Sequence, residues 1–391
     1  MKLKILNVGG LEEAEIELNG FTVLAGENCS GKSTILKSIY TLIEPGVNLN
    51  SKIMEEINSI TSFLSFFSVD KVNEQTNKNK ELSREEIIEI LKKNKKHFLG
   101  IQSNQTSTEL IIDYLEGKKT EKDFHKPFVK RAISTEFNNQ CIKQGAKDCE
   151  MSLESNGYET KIVIGQNDLE LNVNNKFDYK DIVYIDSPYV IEDYNRIFKK
   201  KYDKDHREKL ADRLNSDVDL NIFETMVNSE IVKQLDSIID KAFTVQLTKT
   251  NESILFSTGD AKELKPINIA TGMKIMLIIK MTIDKGILSP GSVLLIDEPE
   301  IHLHPKWQLI LAELLITMQK KLGITVVMST HSPQFLMSIE AFSKKLDTHV
   351  DYYFADTKKH TFDNVNGRLE EVYRSMAEPL LMADKLRYGD E

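Results

Sequence analysis

The chain has 391 residues, of which 40% are hydrophobic and 28% charged, and a net charge of −9. That length can bury a substantial core in two or three lobes, with the composition of a soluble globular protein. The acidic balance excludes a uniformly basic surface that coats nucleic acid, and no apolar run approaches a membrane span, since Ile275 to Ile283 is short and broken by Lys280.

Leu3 to Val8 reads as a strand with no signal-peptide pattern ahead of it, so a cytoplasmic location is expected. The apolar run Phe21 to Ala25 then leads into Gly26-Glu27-Asn28-Cys29-Ser30-Gly31-Lys32-Ser33, and Thr34 to Leu42 has a helical pattern. Strand, glycine-rich loop and helix in that order make a phosphate-binding loop. Successive backbone N–H groups and the positive end of the helix form a concave site for polyphosphate oxygens. Lys32 adds a point charge at the β/γ-phosphates, and Ser33 offers its hydroxyl to Mg²⁺.

Between Pro45 and His125 the composition shifts to Asn, Lys, Glu and Ser, with amphipathic helices expected over Ile53 to Phe67 and Arg84 to Leu91. The apolar face with Phe63, Leu64, Phe66 and Phe67 is core or lid packing, or else a patch for a partner. Met151 to Val173 alternates as in an antiparallel meander. Asp181 to Pro188 reads as a strand and turn, and Tyr189 to Phe243 is helical again. Two basic runs, Lys92-Lys93 with Lys95-Lys96 and Lys199-Lys200-Lys201 with Lys204 and Arg207, could meet phosphates. Both are interleaved with acids, as solvated faces usually are, so DNA binding and a plain solvated face are both open readings. Cys29, Cys141 and Cys149 form neither a metal pattern nor an even disulfide set, which fits a reducing compartment.

Ile269-Ala270-Thr271-Gly272-Met273-Lys274 precedes a helical stretch ending near Lys285. The Thr271 hydroxyl and the helix-start amides could serve a phosphate, or the segment is an ordinary N-capped core helix. Val293 to Ile296 reads as a strand buried on both faces that delivers Asp297 and Glu298 to the sheet edge where the glycine loop lies. Asp297 is placed to hold Mg²⁺ through water, and Glu298 to polarise an attacking water. His302 and His304 alternate on a turn without a third ligand, which argues against a metal site. Ile324 to Thr330 is another buried strand and runs into His331, which either donates to a γ-phosphate or caps the next helix. Val350 to Phe354 and Arg368 to Met382 read as a last strand and a closing helix.

With these motifs in this order, the chain resembles an ATP-binding-cassette ATPase of the SMC/RecF/OLD-like group. The resemblance implies an α/β P-loop NTPase fold: a mixed sheet, a flanking antiparallel meander and helical insertions in place of a long coiled coil. It divides the chain into head segments 1–45, 126–188 and 244–391, with helical insertions at 46–125 and 189–243. It implies ATP and Mg²⁺ as cofactors. Gly26, Asn28, Ser30, Gly31, Lys32, Ser33 and Thr34 would hold the nucleotide. Ser33 and Asp297 would hold the metal, and Lys32, Glu298 and His331 would act in hydrolysis.

In the same resemblance Thr271 and Gly272 form a degenerate signature offered to a partner head, with Thr271 for serine and Met273 for a second glycine. The segment from Pro299 to Pro305 resembles the family's dimer-interface D-loop. Cys29, where glycine is common, tilts the comparison towards the OLD-like members. Gln140 and Gln166 are the candidates for a glutamine loop. About sixty residues follow His331, fewer than an ordinary domain needs, so no Toprim nuclease domain is expected. The implied function is an ATP-gated homodimer or larger homo-oligomer, the ATPase of an anti-phage defence module with a separate effector protein and no membrane partner. A RecF-like ATPase that clamps DNA and a nucleotide-binding platform without turnover are the alternatives.

Overall fold

The structure is a computed structural model that describes residues 1–67, 83–98, 108–165, 168–173, 179–195, 204–216, 222–243, 246–249, 254–257 and 263–388. Its centre is a six-stranded sheet built from the short apolar runs of the sequence. The strands are β3 (Phe21–Ala25), β7 (Ile182–Ile185), β10 (Val293–Ile296), β11 (Thr325–Thr330), β12 (Asp351–Asp356) and β13 (Thr361–Asn364), in the order β13-β12-β3-β11-β10-β7. All but β13 run parallel, with Val326 opposite Phe21, and Val293 opposite both Thr325 and Ile182. Parallel strands need crossovers and covered faces, which is why β3, β7 and β10 are apolar and buried throughout. The crossovers are α9 (Pro305–Leu322), between β10 and β11, and α10 (Pro333–Lys345), between β11 and β12.

Side chains alternate along each strand, so the sheet supplies two cores. Phe21, Val23, Leu294, Ile296, Val326 and Met328 pack against α9, α10 and α8 (Thr271–Asp284). On the opposite face Leu24, Leu295, Val327 and Tyr184 meet α1 (Lys32–Ile43) and the expected meander. That meander is a five-stranded antiparallel sheet of order β2-β1-β4-β5-β6, made of β1 (Lys2–Leu6), β2 (Glu13–Glu17), β4 (Asp148–Ser155), β5 (Tyr158–Gly165) and β6 (Leu169–Val173). Leu3 pairs with Leu153, and Ile5 with Met151, on the buried face.

A satellite core lies in the first helical segment. Ile53 and Ile57 of α2 (Leu49–Phe67), Leu91 of α3 (Arg84–Phe98) and Ile111 of α4 (Thr108–Leu115) pack on Phe124 and on Phe128 of α5 (His125–Phe137). The side chains of Phe63, Leu64, Phe66, Phe67, Lys95 and Lys96 lie outside the described residues, as do Lys199, Lys200 and Lys201. The second helical segment carries α6 (His206–Asn215) and α7 (Ile222–Ile239), followed by the hairpin β8 (Gln246–Lys249) and β9 (Ile254–Ser257). The closing helix is α11 (Leu369–Tyr388). Strand β13 was not expected; it pairs back on β12 through a tight turn that holds His360 at a positive φ of 55°.

Candidate nucleotide-binding site

After β3 the chain turns through Gly26 (φ 154°) and Gly31 (φ 94°) before α1 begins at Lys32. A Cβ on Gly31 would fall 2.4 Å from Cδ2 of Leu11, so this left-handed position takes glycine alone. Gly26 does not line the cavity below; a Cβ there would lie 2.8 Å from that of Ala355, so its part is to let the loop pass β12. Cys29 has a φ of 62° without glycine's freedom, a strain of roughly 1 kcal/mol. The first turn of α1 carries no side-chain cap, which leaves its N–H groups for a ligand.

Asn28 to Thr34 line a cavity of about 550 Å³. Asp297 and Glu298 enter it from the end of β10, and Asp186 to Tyr189 from the end of β7. Ile275, Ile301 and His302 complete the far rim. The loop and the acidic pair are thus two strands apart on one sheet, with β11 between them. The buried Lys32 ammonium donates to the carbonyls of Gly26 (2.9 Å) and Glu27 (2.7 Å) and lies 3.2 Å from Oε1 of Glu298. The other Glu298 oxygen is 3.2 Å from Nδ1 of His331. Glu298 therefore bridges the loop lysine and the histidine at the end of β11.

The strand ends are laced together. Ser329 donates its hydroxyl to Asp297 Oδ1 and accepts from the Glu298 amide at 3.0 Å. Tyr184 donates to Asp297 Oδ2 at 3.4 Å. Burial, the nearby carboxylate charges and that hydrogen bond push the Tyr184 phenol well above its ordinary range, so it stays a donor.

The β7 wall went unread in the sequence beyond its strand. Asp186 follows Ile185, whose carbonyl accepts from the Asp297 amide at 2.9 Å, so the two aspartates leave adjacent strands side by side. Arg207 holds Asp186 in a fork, Nε at 2.7 Å and Nη2 at 2.6 Å. His206 sits 3.0 Å away through Nε2, with Nδ1 2.6 Å from Glu136 of α5 and its ring stacked on Tyr184 at 4.2 Å. Burial opposes charge on His206, yet the hydrogen bonds and charges of Asp186 and Glu136 outweigh it and raise the imidazole to about 9. Burial would likewise raise Asp186, but His206 and Arg207 hold it well below the usual carboxylate range. Arg207, expected among phosphate-meeting cations, is thus committed to a carboxylate. Lys92 and Lys204 of the same basic runs pair with Glu116 and Asp212.

Gln140 is absent from the cavity lining, where Asp186 and Ser187 stand instead, and Gln166 lies outside the described residues. Thr271 opens α8 behind Ala270, which makes no side-chain cap, so the alternative of a side-chain-capped helix is not what the fold uses. Neither Thr271 nor Gly272 lines the cavity of its own chain. Gly272 is buried where a Cβ would lie 2.6 Å from the carbonyl oxygen of His302. His304 caps α9, accepting from the Lys306 amide at 3.2 Å. Among the described residues no cluster of three or more metal-ligating side chains occurs.

A triphosphate with a divalent cation fits these groups. Ser30 carries a buried hydroxyl with no partner inside the loop, and the cavity sets Asp297 and Glu298 against the single ammonium of Lys32, Asp186 being already paired with Arg207 and His206. Mg²⁺ on Ser33 and Asp297 would offset that excess of negative charge.

Residues 152–338 match the family model described as "AAA domain, putative AbiEii toxin, Type IV TA system". That stretch of the chain is thus similar to an AAA-type ATPase domain. The matched stretch spans the acidic pair and His331, while the glycine loop precedes it. The protein named "Retron Vc95 probable ATPase" of Vibrio cholerae serotype O1 biovar El Tor is 24% identical over 383 residues, covering 85% of this chain and 70% of its own. Solved SMC heads are also similar. A head bound to the C-winged helix domain of ScpA is 12% identical with a TM-score of 0.43, over 93% of this chain and 96% of that one. The head domain from Thermotoga maritima is 11% identical with a TM-score of 0.41, over 93% and 97%. Among the described residues no helix is long and apolar enough to cross a membrane.

Proposed function

We propose that this chain binds ATP with Mg²⁺, hydrolyses it, and uses the bound nucleotide to close two heads on each other as a conformational gate. The observation that carries the reading is the convergence of Lys32, Asp297 and Glu298 on one cavity from the glycine loop and a strand end, with His331 behind Glu298 at 3.2 Å. In this reading Lys32 and the loop amides take the β- and γ-phosphates and Ser33 and Asp297 hold the hydrated metal. Glu298 orients the attacking water, and His331 donates to the γ-phosphate. When bound, Mg²⁺ held by Ser33 and Asp297 would neutralise phosphate charge.

In the cavity Lys32 faces Asp297 and Glu298, while Arg207 and His206 are spent on Asp186, so its own chain has little positive charge to spare for the transition state of phosphoryl transfer. That deficit supports a composite site, completed by the α8 start of a second head through Thr271 and Gly272. Likeness to a retron ATPase, and to a family described by an AbiEii toxin, supports the ATPase of an anti-phage defence module acting with a separate effector.

Size-exclusion chromatography of wild type and Glu298→Gln with ATP or ADP tests this. The substitution should slow turnover by about 100-fold or more and trap an ATP-dependent dimer or larger assembly. A monomer under every nucleotide condition would remove the gate. Turnover that rises with added DNA would favour the DNA clamp, and binding without turnover in the wild type would favour the platform.

A further inference from the structure

Glu300 lies two residues beyond the acidic pair and has no part in the chemistry described so far. Its side chain is 3% exposed, and among the described residues no salt bridge reaches it, an unusual placement for a carboxylate. Oε1 accepts from the Thr330 hydroxyl at 2.5 Å and from the His331 backbone N–H at 3.3 Å. Among the described residues Oε2 is buried with no hydrogen-bond partner. The Thr330 hydroxyl in turn accepts from the Ser332 amide at 3.0 Å, and the Ser332 side chain caps α10 by accepting from Phe335 at 3.2 Å. One carboxylate thus ties the loop after β10 to the turn that carries His331 into α10.

A purely structural clamp between a loop and a helix start need not sit beside the ring that touches Glu298. Here the backbone N–H that Glu300 holds belongs to His331 itself, whose Nδ1 stands 3.2 Å from Glu298. The same loop returns to the cavity through Ile301 and His302, and the His302 carbonyl presses on Gly272. Fixing the main chain of residue 331 from the loop of residues 299–304 therefore sets the distance between the two groups expected to act on water and γ-phosphate.

We infer that Glu300 is a positioning residue that holds the His331 main chain so that its ring stays in register with Glu298. The inference rests on the hydrolytic reading above. Burial favours the uncharged form of this carboxyl, so a glutamine, which keeps an acceptor oxygen at the Oε1 position, should substitute for it.

The test compares the full chain with Glu300→Ala, Glu300→Gln and Thr330→Val. It measures kcat and KM for ATP and the hydrogen exchange of the His331 amide. Glu300→Ala should lower kcat about tenfold or more while KM stays within about threefold, and should speed exchange at His331 about tenfold. Glu300→Gln should keep kcat within about threefold of wild type with His331 still protected, and Thr330→Val should show a smaller loss confined to kcat. An alanine variant with wild-type kcat, a loss that falls on KM, or a glutamine variant as impaired as alanine overturns the inference. Where Glu300→Ala does not fold, the other two variants decide. Retained turnover in Glu300→Gln with a kcat-only loss in Thr330→Val upholds it, and any other pair of results overturns it. Absence of turnover in the wild-type chain overturns the proposed function and this role together, whereas active wild type with an unimpaired alanine variant overturns this role alone.

Discussion

The two walls of the cavity are built on different principles. The glycine-loop wall is local: one strand, one turn and one helix within a short stretch, with Gly31 fixed by Leu11 and Lys32 folded back on the carbonyls of Gly26 and Glu27. The β7 wall is assembled from afar, since Asp186 owes its place to His206 and Arg207 of α6, and His206 to Glu136 of α5. Backbone conformation shapes the first wall and buried charge the second. The helical segments therefore reach the cavity as structural members of its edge.

Removing Glu136 strikes the second wall hardest. Glu136→Ala leaves a buried imidazolium with Asp186 as its one carboxylate partner and strips the acceptor from the His206 amide, at a cost of about 3 kcal/mol in denaturant unfolding. On the first wall, Lys32→Ala should weaken ATP binding about 100-fold by calorimetry, near 2.7 kcal/mol, with the unfolding midpoint little changed. Equal effects of both substitutions on binding and on stability would erase the contrast between the walls.

The pH dependence sharpens it further. His206 is raised from 6.5 to about 9, so its contribution to stability is complete below about pH 6.5 and fades as the pH rises through about 9. Asp186 is lowered from 3.8, so its contribution holds above about pH 4 and is lost on acidification below that. Stability followed from pH 4 to pH 10 should fall on the alkaline side, and His206→Gln should flatten that limb. The smallest effect belongs to the loop: Cys29→Gly relieves a left-handed residue and should raise stability by up to about 1 kcal/mol, partly offset by glycine's entropy. A decrease on thermal unfolding would show that the Cys29 side chain contributes more than its backbone strain costs.

What could be read before the structure follows the same division. The glycine loop, the acidic pair and His331 each lie at the end of a contiguous apolar run, so period and spacing reveal both the strand and its cargo. Alternating and helical periods likewise make the strands from Met151 to Val173 and the helices α2 and α3 legible, whereas β2 and α4 are too short to stand out. Asp186 was visible only as the end of a plain strand, because nothing in Asp186-Ser187-Pro188 points to Arg207 or Glu136. Arg207 invited a phosphate reading because charge runs carry no record of their partners. The glutamine loop was sought among glutamines, while the fold brings Asp186 and Ser187 to the edge beside β10. Gly272 read as a phosphate ligand from its place in a motif, and its close packing on residue 302 could not be inferred from spacing.

That packing has a mechanical consequence. With 2.6 Å between a would-be Cβ at residue 272 and the carbonyl oxygen of His302, the head of α8 and the loop that follows Glu298 interlock without slack. A push by a neighbour on the start of that helix would therefore reach the segment that follows the acidic pair, as between meshed teeth.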